Sequence, residues 1–299
     1  MVFSSSLRRV KSPSSENDLL NDLFKLVEGD GTLHDLERTG EVRKAGDQYY
    51  RMLMLRRFLV AEKMDVCKAH SRLQKHAHWR LRELPDGRIA EEDVSSQIVQ
   101  QKVLLQPVGE DGRPLLVIKV AKHLPSPATA QEVEKFVVFC LEAASRACDH
   151  EDSQDAKLWA IFDLNGIRWA NLDNHALHSC FHLLQLHFPE RVKRIFMLDS
   201  PIIFDALWRI VRPFVDPETR KKVQFVYGQS GLGEILKTID SNVLPVSYGG
   251  LAPEIPAELA ARGIWGGNEN GKLINSSVNG ANSNVQQNLS EEDFGGAAA

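Results

Sequence analysis

Apolar residues recur at helical spacing through the first third of the chain. In NDLLNDLFKLV, Leu19, Leu20, Leu23, Leu26 and Val27 fall on one stripe. YYRMLMLRRFL and DVCKAHSRLQKHAHWRLREL continue the period, with Asp65 placed to cap the second, until Pro85-Asp86-Gly87 breaks it with a turn. Residues 17–86 are therefore expected to form a small helical lobe. Beyond it the rhythm shortens. KVLLQPV and LLVIKV flank GEDGRP, which reads as a hairpin with a longer loop. A helix is expected over 129–149, and the strand KLWAIFDL ends at Asn165-Gly166. A helix over 173–187, the strand RIFML, an apolar helix, the strand KVQFVYG and a last helix near 231–240 follow. Strands alternating with helices predict an α/β fold, a mixed and largely parallel sheet covered by helices.

The helix after RIFML breaks the usual pattern. In IIFDALWRIVRPFV, Ile203, Leu207, Ile210 and Phe214 form one stripe, and Phe204, Trp208, Val211 and Val215 form the next. Asp205, Arg209 and Arg212 leave only a narrow polar edge. A helix this apolar is either buried on most sides or meets something else apolar. Both readings stand on pattern alone.

Composition narrows the classes. The 299 residues carry a net charge of −4 with 43% apolar residues, an ordinary globular balance. A nucleic-acid binder would usually be basic with its cations clustered, and none is expected here. No apolar run approaches the roughly 18 residues of a membrane span. MVFSSSLRRVKSPSS lacks a signal-peptide core, although it is Ser-rich, basic and acid-free in the manner of an organelle transit peptide; a disordered basic arm over 1–16 is the simpler reading. The end of the chain, 256–299, is expected to be a flexible tail rich in Asn, Gly and Ser. Cys67, Cys140, Cys148 and Cys180 show no C-x-x-C spacing, so buried reduced thiols in a cytoplasmic protein are expected.

Candidate chemistries mostly fail on spacing. YGQSGLGE places Ser230 where a hydrolase nucleophile would sit, but Leu232 stands where the second elbow Gly is required. All ten histidines lie at or before His187, so none follows Ser230. Gly228, Gly231 and Gly233 match neither a dinucleotide fingerprint nor a P-loop. His175, His178 and His182 share a helix face within about 60°, but no carboxylate or thiol at ligand spacing joins them, and a solvated polar face is expected. His76 and His78, two apart, face different ways. No metal, cofactor or catalytic residue is expected.

One long stretch carries a specific resemblance. LQLHFPERVKRIFMLDSPIIFDALWRIVRPFVDPETRKKVQFV closely resembles the core of the CRAL-TRIO domain of phosphatidylinositol-transfer-type lipid carriers. The likeness extends through LMLRRFLVAEKMDVCKAHSRLQKHAHWR, DGRPLLVIKV and LWAIFDLNGI to NVLPVSYGG, covering about 49–255. It implies a CRAL-TRIO-like sheet flooring an apolar lipid pocket over 87–255, closed by a mobile gate helix at about 202–214. Ile203, Phe204, Leu207, Trp208, Ile210, Val211 and Phe214 would then line the gate and pocket. Hiding one sixteen-carbon chain from water is worth about 13 kcal/mol at ~0.8 kcal/mol per methylene, so the tail supplies affinity and the headgroup must supply selectivity. The family's headgroup Glu, Thr and Lys match Glu190 in FPER and Thr219 and Lys222 in DPETRKK. Lys222 and the Thr219 hydroxyl suit a phosphate, and the Glu190 carboxylate suits inositol hydroxyls. The alternatives are a helix-end cap for Glu190, an N-cap for Thr219 and a solvated Lys222. The chain departs from the family's FLRARKFD segment, which reads FLVAEKMD here: Val60 and Glu62 replace basic residues.

The resemblance implies a non-enzymatic, cytoplasmic, monomeric carrier with no cofactor beyond its bound lipid. It would exchange a phospholipid, phosphatidylinositol by the matched headgroup residues, during transient membrane-surface contact. A carrier of a neutral tocopherol- or retinoid-like ligand is the alternative that Val60 and Glu62 favour, and a lipid-gated regulator or scaffold is a third.

Overall fold

The computed structural model describes residues 15–126, 130–151, 153, 155–201, 204, 208, 212, 217–267 and 273–275. The basic arm before Ser15, the part of the expected 256–299 tail beyond Asn275 and most of the expected gate helix lie outside the described residues; Phe204, Trp208 and Arg212 are the gate positions within them. The start of the expected tail is instead ordered, with a helix over Ala257–Ala261 whose Ala257 and Ala260 are buried in the core.

Four helices build the N-terminal lobe: α1 (Glu16–Gly29), α2 (Thr32–Arg38), α3 (Gln48–Ala61) and α4 (Val66–Glu83). Ser15 and Asp18 form a reciprocal capping box that starts α1, and Asp65 caps α4 by accepting the Lys68 N–H at 3.0 Å. Leu20, Leu23 and Val27 of the α1 stripe are buried against Leu55, Phe58 and Leu73 in one apolar cluster. Leu26, at the edge of that stripe, stays exposed.

A short helix α5 (Ser95–Ile98) leads into the sheet, whose order is β1 (Val103–Gln106), β2 (Leu115–Lys119), β3 (Leu158–Asp163), β4 (Val192–Leu198) and β5 (Val223–Val226). β1 pairs with β2 antiparallel, as the hairpin signal predicts, and β2 through β5 run parallel. The crossovers carry α6 (Ala130–Cys148), α7 (Asn174–Leu186) and α8 (Pro217–Lys221), and α9 (Gly228–Leu236) and α10 (Ala257–Ala261) follow the last strand. A two-stranded ribbon, β6 (Ile264–Gly267) with β7 (Leu273–Asn275), completes the described chain. Helix α9 begins three residues earlier than its glycine-rich sequence suggests, because Asp199 Oδ1 accepts the Gly228 N–H at 2.7 Å and fixes its first turn. Gly231 is required there: a Cβ would lie 2.8 Å from the backbone of Val226. None of the described helices is long and apolar enough to cross a membrane.

The helical lobe is bolted to the sheet domain by buried charge. Arg80 of α4 is fully buried; its guanidinium meets Glu142 of α6 through two bonds of 2.7 and 3.0 Å, Glu41 at 2.8 Å and the Thr39 carbonyl at 2.6 Å. Glu41, held far below the usual carboxylate range, also takes Arg57 at 2.8 Å. Burial opposes that ionisation, but the surrounding His76, Arg80 and Arg57 outweigh it. Arg191 forks onto Asp149 at 2.5 and 2.7 Å just before β4. The thiols differ in part from expectation: Cys140 and Cys148 are buried, Cys180 is half-buried and Cys67 lies exposed on α4.

Candidate functional site

The two faces of the sheet differ. On one, Leu115, Val117, Trp159, Ile161, Phe196, Leu198 and Val226 are all buried under α9 and the segment around Val243 and Leu244. On the other, the parallel register lays Ile118, Phe162, Met197 and Phe225 in one row across β2 to β5. Leu116, Ala160, Ile195 and Val223 form the row behind it. Of the front row only Met197 is buried; Ile118, Phe162 and Phe225 are half-buried, as are Leu177 and Phe181 of α7. This is an apolar floor with small Ala160 in its second row, incompletely covered by the side chains around it. A fully packed core does not leave large apolar residues in that state.

Phe204 and Trp208 belong to the same face. The Trp208 ring meets Phe225 edge-on at 5.9 Å and stacks near Phe204 at 6.4 Å, while Phe204 is buried and touches Phe225 at 6.4 Å. The spacing of four between them, read as one stripe in the sequence, thus does put both rings over the floor. Ile203, Leu207, Ile210, Val211 and Phe214 lie outside the described residues.

Charged groups gather at the other end of the strands. Glu190 lies just before β4, Lys222 just before β5 and Lys157 just before β3. Glu190 Oε2 accepts from Lys157 Nζ at 2.9 Å and from Lys222 Nζ at 3.3 Å. Burial alone would raise the Glu190 pKa, but the Lys157 hydrogen bond and the Lys222 charge bring it below the ordinary glutamate value. Its backbone is left-handed, at φ +56°, a conformation costing a glutamate about 1 kcal/mol or more. Thr219 is the third residue of α8 rather than its cap, and its carbonyl accepts the Lys222 N–H at 3.0 Å. Glu190 and Lys222 therefore touch, with Thr219 one turn away along the backbone. Lys157 is the member that the sequence reading missed. The signal was available in strand register: residues that immediately precede adjacent parallel strands become neighbours, and Leu158 pairs with Val192.

A cleft of about 20 Å³ opens beside this cluster, lined by Leu53, Arg56, Arg57, Val60, Asp155, Lys157 and Glu190. Its size is that of a water molecule, so it is a notch beside the site and not a chamber for an inositol ring. Val60 contributes an apolar wall to the cleft that Glu190 also lines. Arg56, one turn earlier, supplies a cation to the same cleft but is held by Glu16 at 2.5 Å. Arg57 is buried, and its Nε and Nη1 lack hydrogen-bond partners among the described residues. Glu62 is turned elsewhere: it binds Arg72 at 2.8 Å, and Arg72 reaches the carbonyls of Gln185 and Leu186 at the end of α7. The acid at position 62 fastens the lobe to α7 and does not line the cleft.

The histidine stripe of α7 carries no metal constellation: among the described residues no three His, Cys, Asp or Glu side chains converge. His175 lies 3.5 Å from Glu134, and the His178 and His182 rings stack at 6.2 Å. His76 is buried and His78 exposed.

Comparison with known proteins agrees with this geometry. The family model described as CRAL/TRIO domain matches residues 99–250. The chain is 25% identical over 242 residues to the phosphatidylinositol transfer protein CSR1 of Eremothecium gossypii, covering 75% of this chain and 54% of that protein. It is 29% identical over 221 residues to the SEC14 cytosolic factor of the same organism, covering 68% of this chain and 70% of that one. The phosphatidylinositol/phosphatidylcholine transfer protein SFH7 of Arabidopsis thaliana is 28% identical over 222 residues, 66% of this chain and 39% of its own length. The chain thus spans about half the length of CSR1 and less of SFH7. The crystal structure of Sfh5 superposes with a TM-score of 0.57 at 16% identity, over 79% of this chain and 96% of that one, a likeness of fold.

Proposed function

The chain belongs to the CRAL/TRIO domain family, and from that premise we propose that it binds one phospholipid and exchanges it at membrane surfaces without catalysing a reaction. The observation that carries this reading is the half-buried row Ile118, Phe162 and Phe225, an apolar floor with a lysine pair at the far end of its strands. Strand β4 is seven residues long, about 23 Å at ~3.3 Å per residue. Half of a bilayer's hydrocarbon core is about 15 Å, so a lipid tail fits along the strands with its head at their starts. The headgroup reading assigns phosphate to Lys222, Lys157 and the Thr219 hydroxyl, and sugar hydroxyls to Glu190, which favours phosphatidylinositol. The names of the CSR1 and SFH7 relatives support that choice, and that of the SEC14 factor supports a cytosolic setting.

Val60 in the wall of the Glu190 cleft favours a second reading, a neutral hydrophobic ligand held by the floor alone. Native mass spectrometry of the purified protein, followed by lipid extraction, separates the two. A glycerophosphoinositol mass is expected. A neutral isoprenoid would assign the second reading. An empty protein that fails to move either ligand between vesicles would overturn both.

A further inference from the structure

Five large apolar side chains are more than three-fifths exposed among the described residues: Val99, Leu124, Trp169, Val246 and Leu251, at 64% to 77%. They come from four separate segments, yet the hydrogen bonds place all of them at one end of the sheet, where the parallel strands terminate. Leu124 follows β2 and donates its N–H to Gln100 Oε1 at 3.2 Å, which brings it beside Val99. Trp169 follows β3, and two residues on Asn171 Nδ2 donates to the carbonyls of Ala121 and His123 at 3.0 and 2.9 Å. The loop bearing Val246 and Leu251 is tied to the end of β3 by Tyr248, whose hydroxyl donates to Asp163 Oδ2 at 2.8 Å. It is tied to the end of β2 through Glu254, which takes Lys119 at 2.5 Å and Ser247 at 2.8 Å.

These loops are braced from beneath. Lys102 Nζ binds Gln97, Gln100 and His123 at 2.6, 3.0 and 2.8 Å, and His123 Nε2 meets Asp173 at 3.1 Å. The apolar tips are therefore presented on a fixed rim. Exposed cations, Lys122 and Arg168, sit next to Leu124 and Trp169, whereas the acids of the rim are engaged: Asp163 by Tyr248, Glu254 by Lys119, Asp173 by His123 and Asp199 by the Gly228 N–H.

We propose that this rim is a bilayer-docking surface whose tips Trp169, Leu124, Val246 and Leu251 insert among lipid headgroups while Lys122 and Arg168 face anionic lipid. Aliphatic tips, an amphipathic indole and flanking bases are what an interfacial surface requires. The rim follows the ends of β2 and β3, the two strands that carry Ile118 and Phe162 of the apolar floor. The proposal rests on the carrier reading for its purpose but not for its test.

The test measures binding of the full chain to vesicles of phosphatidylcholine, with and without phosphatidylserine. Trp169→Ser and Leu251→Ser are each expected to weaken binding roughly tenfold, the effect of withdrawing one large inserted side chain. Lying on separate loops, they should combine to roughly a hundredfold. Lys122→Gln with Arg168→Gln should abolish most of the gain from phosphatidylserine, about fivefold per charge. Val108→Ser, in the loop at the opposite end of β2, should change nothing. These positions are exposed, so thermal melting serves as the folding control; brominated acyl chains should also quench the unmodified chain more than Trp169→Phe. Vesicle affinity within about threefold of the parent in the Trp169→Ser/Leu251→Ser protein overturns the proposal. A concentration-dependent dimer lost in the same variant would assign the rim to a second copy and overturn it as well. Lipid content and transfer are scored separately, so an empty protein that moves neither ligand between vesicles but keeps an active rim refutes the carrier reading and leaves the rim standing.

Discussion

Replacing Lys222 by Ala tests the charged cluster most directly. Lys222 Nζ lies 3.3 Å from Glu190 Oε2, and Lys157 Nζ lies 2.9 Å from the same oxygen. Because the Glu190 pKa is depressed in the folded state, the cluster stabilises the fold above the ordinary glutamate value and loses that contribution as pH falls through the folded one. All three side chains keep about a fifth of their surface in water, and Lys157 remains beside Glu190, so the cost to stability is held to about 1 kcal/mol or less. The stake in ligand binding is larger. A hydrogen bond to a charged group contributes about 1.5–3 kcal/mol, and each 1.4 kcal/mol is a factor of ten. Phosphatidylinositol transfer between vesicles should therefore fall roughly tenfold to a hundredfold. The tail contribution, about 0.8 kcal/mol per methylene, is untouched, so transfer of zwitterionic phosphatidylcholine should change by less than about threefold. The assay is donor-to-acceptor vesicle transfer of each labelled lipid, run beside a thermal melt. Equal losses for both lipids, or no loss for either with the melt unchanged, would refute the headgroup assignment.

Other expectations follow from the buried groups. Arg80→Ala removes the buried guanidinium that Glu142 and Glu41 share, leaving Glu41 to Arg57, and should destabilise the protein by about 3–5 kcal/mol in urea unfolding. His187 is pushed down to about 3 by burial and then by neighbouring His76, so the unfolded chain takes up a proton that the folded one refuses. Stability should accordingly decline as pH falls from about 6.5 towards 3, by up to about 1.4 kcal/mol per unit, and His187→Asn should flatten that slope in unfolding curves at stepped pH. Gly231→Ala should cost about 1–3 kcal/mol by pressing a methyl onto Val226. Ser230→Ala beside it should leave lipid transfer and stability unchanged.

The parts of the fold most legible in the sequence were those where period and punctuation agree. The lobe helices, the Asp65 cap and the hairpin around GEDGRP needed no tertiary information. The site was legible only through resemblance, and then only in part. Glu190 and Lys222 were matched by motif and do meet, but Lys157 belongs to a strand start more than thirty residues away in the chain, and only sheet register brings it in. Glu62 reads from its motif position as an acid replacing a base, a departure that favours a neutral ligand; its side chain turns to Arg72, a choice made by the lobe contact with α7. Arg80, His76 and Glu142 look like ordinary helix-surface residues by type. Arg80 and Glu142 are buried where α4 meets α6, and His76 against Phe58 and His187, contacts that no local pattern encodes. The rim was invisible for a similar reason, since Val99, Leu124, Trp169, Val246 and Leu251 share no segment.

On the proposed carrier reading, a lysine pair that precedes the strands and a Trp208 over their far ends would give an elongated guest a compass bearing. Its greasy terminus would point to the aromatic end and its polar terminus to the lysines, so departure would begin with the terminus that is least anchored. Entry and residence would then be governed at opposite poles. Altering the aromatic pole should change how fast cargo loads, and altering the lysine pole how long it stays, so stopped-flow traces would show the two as separable rate constants.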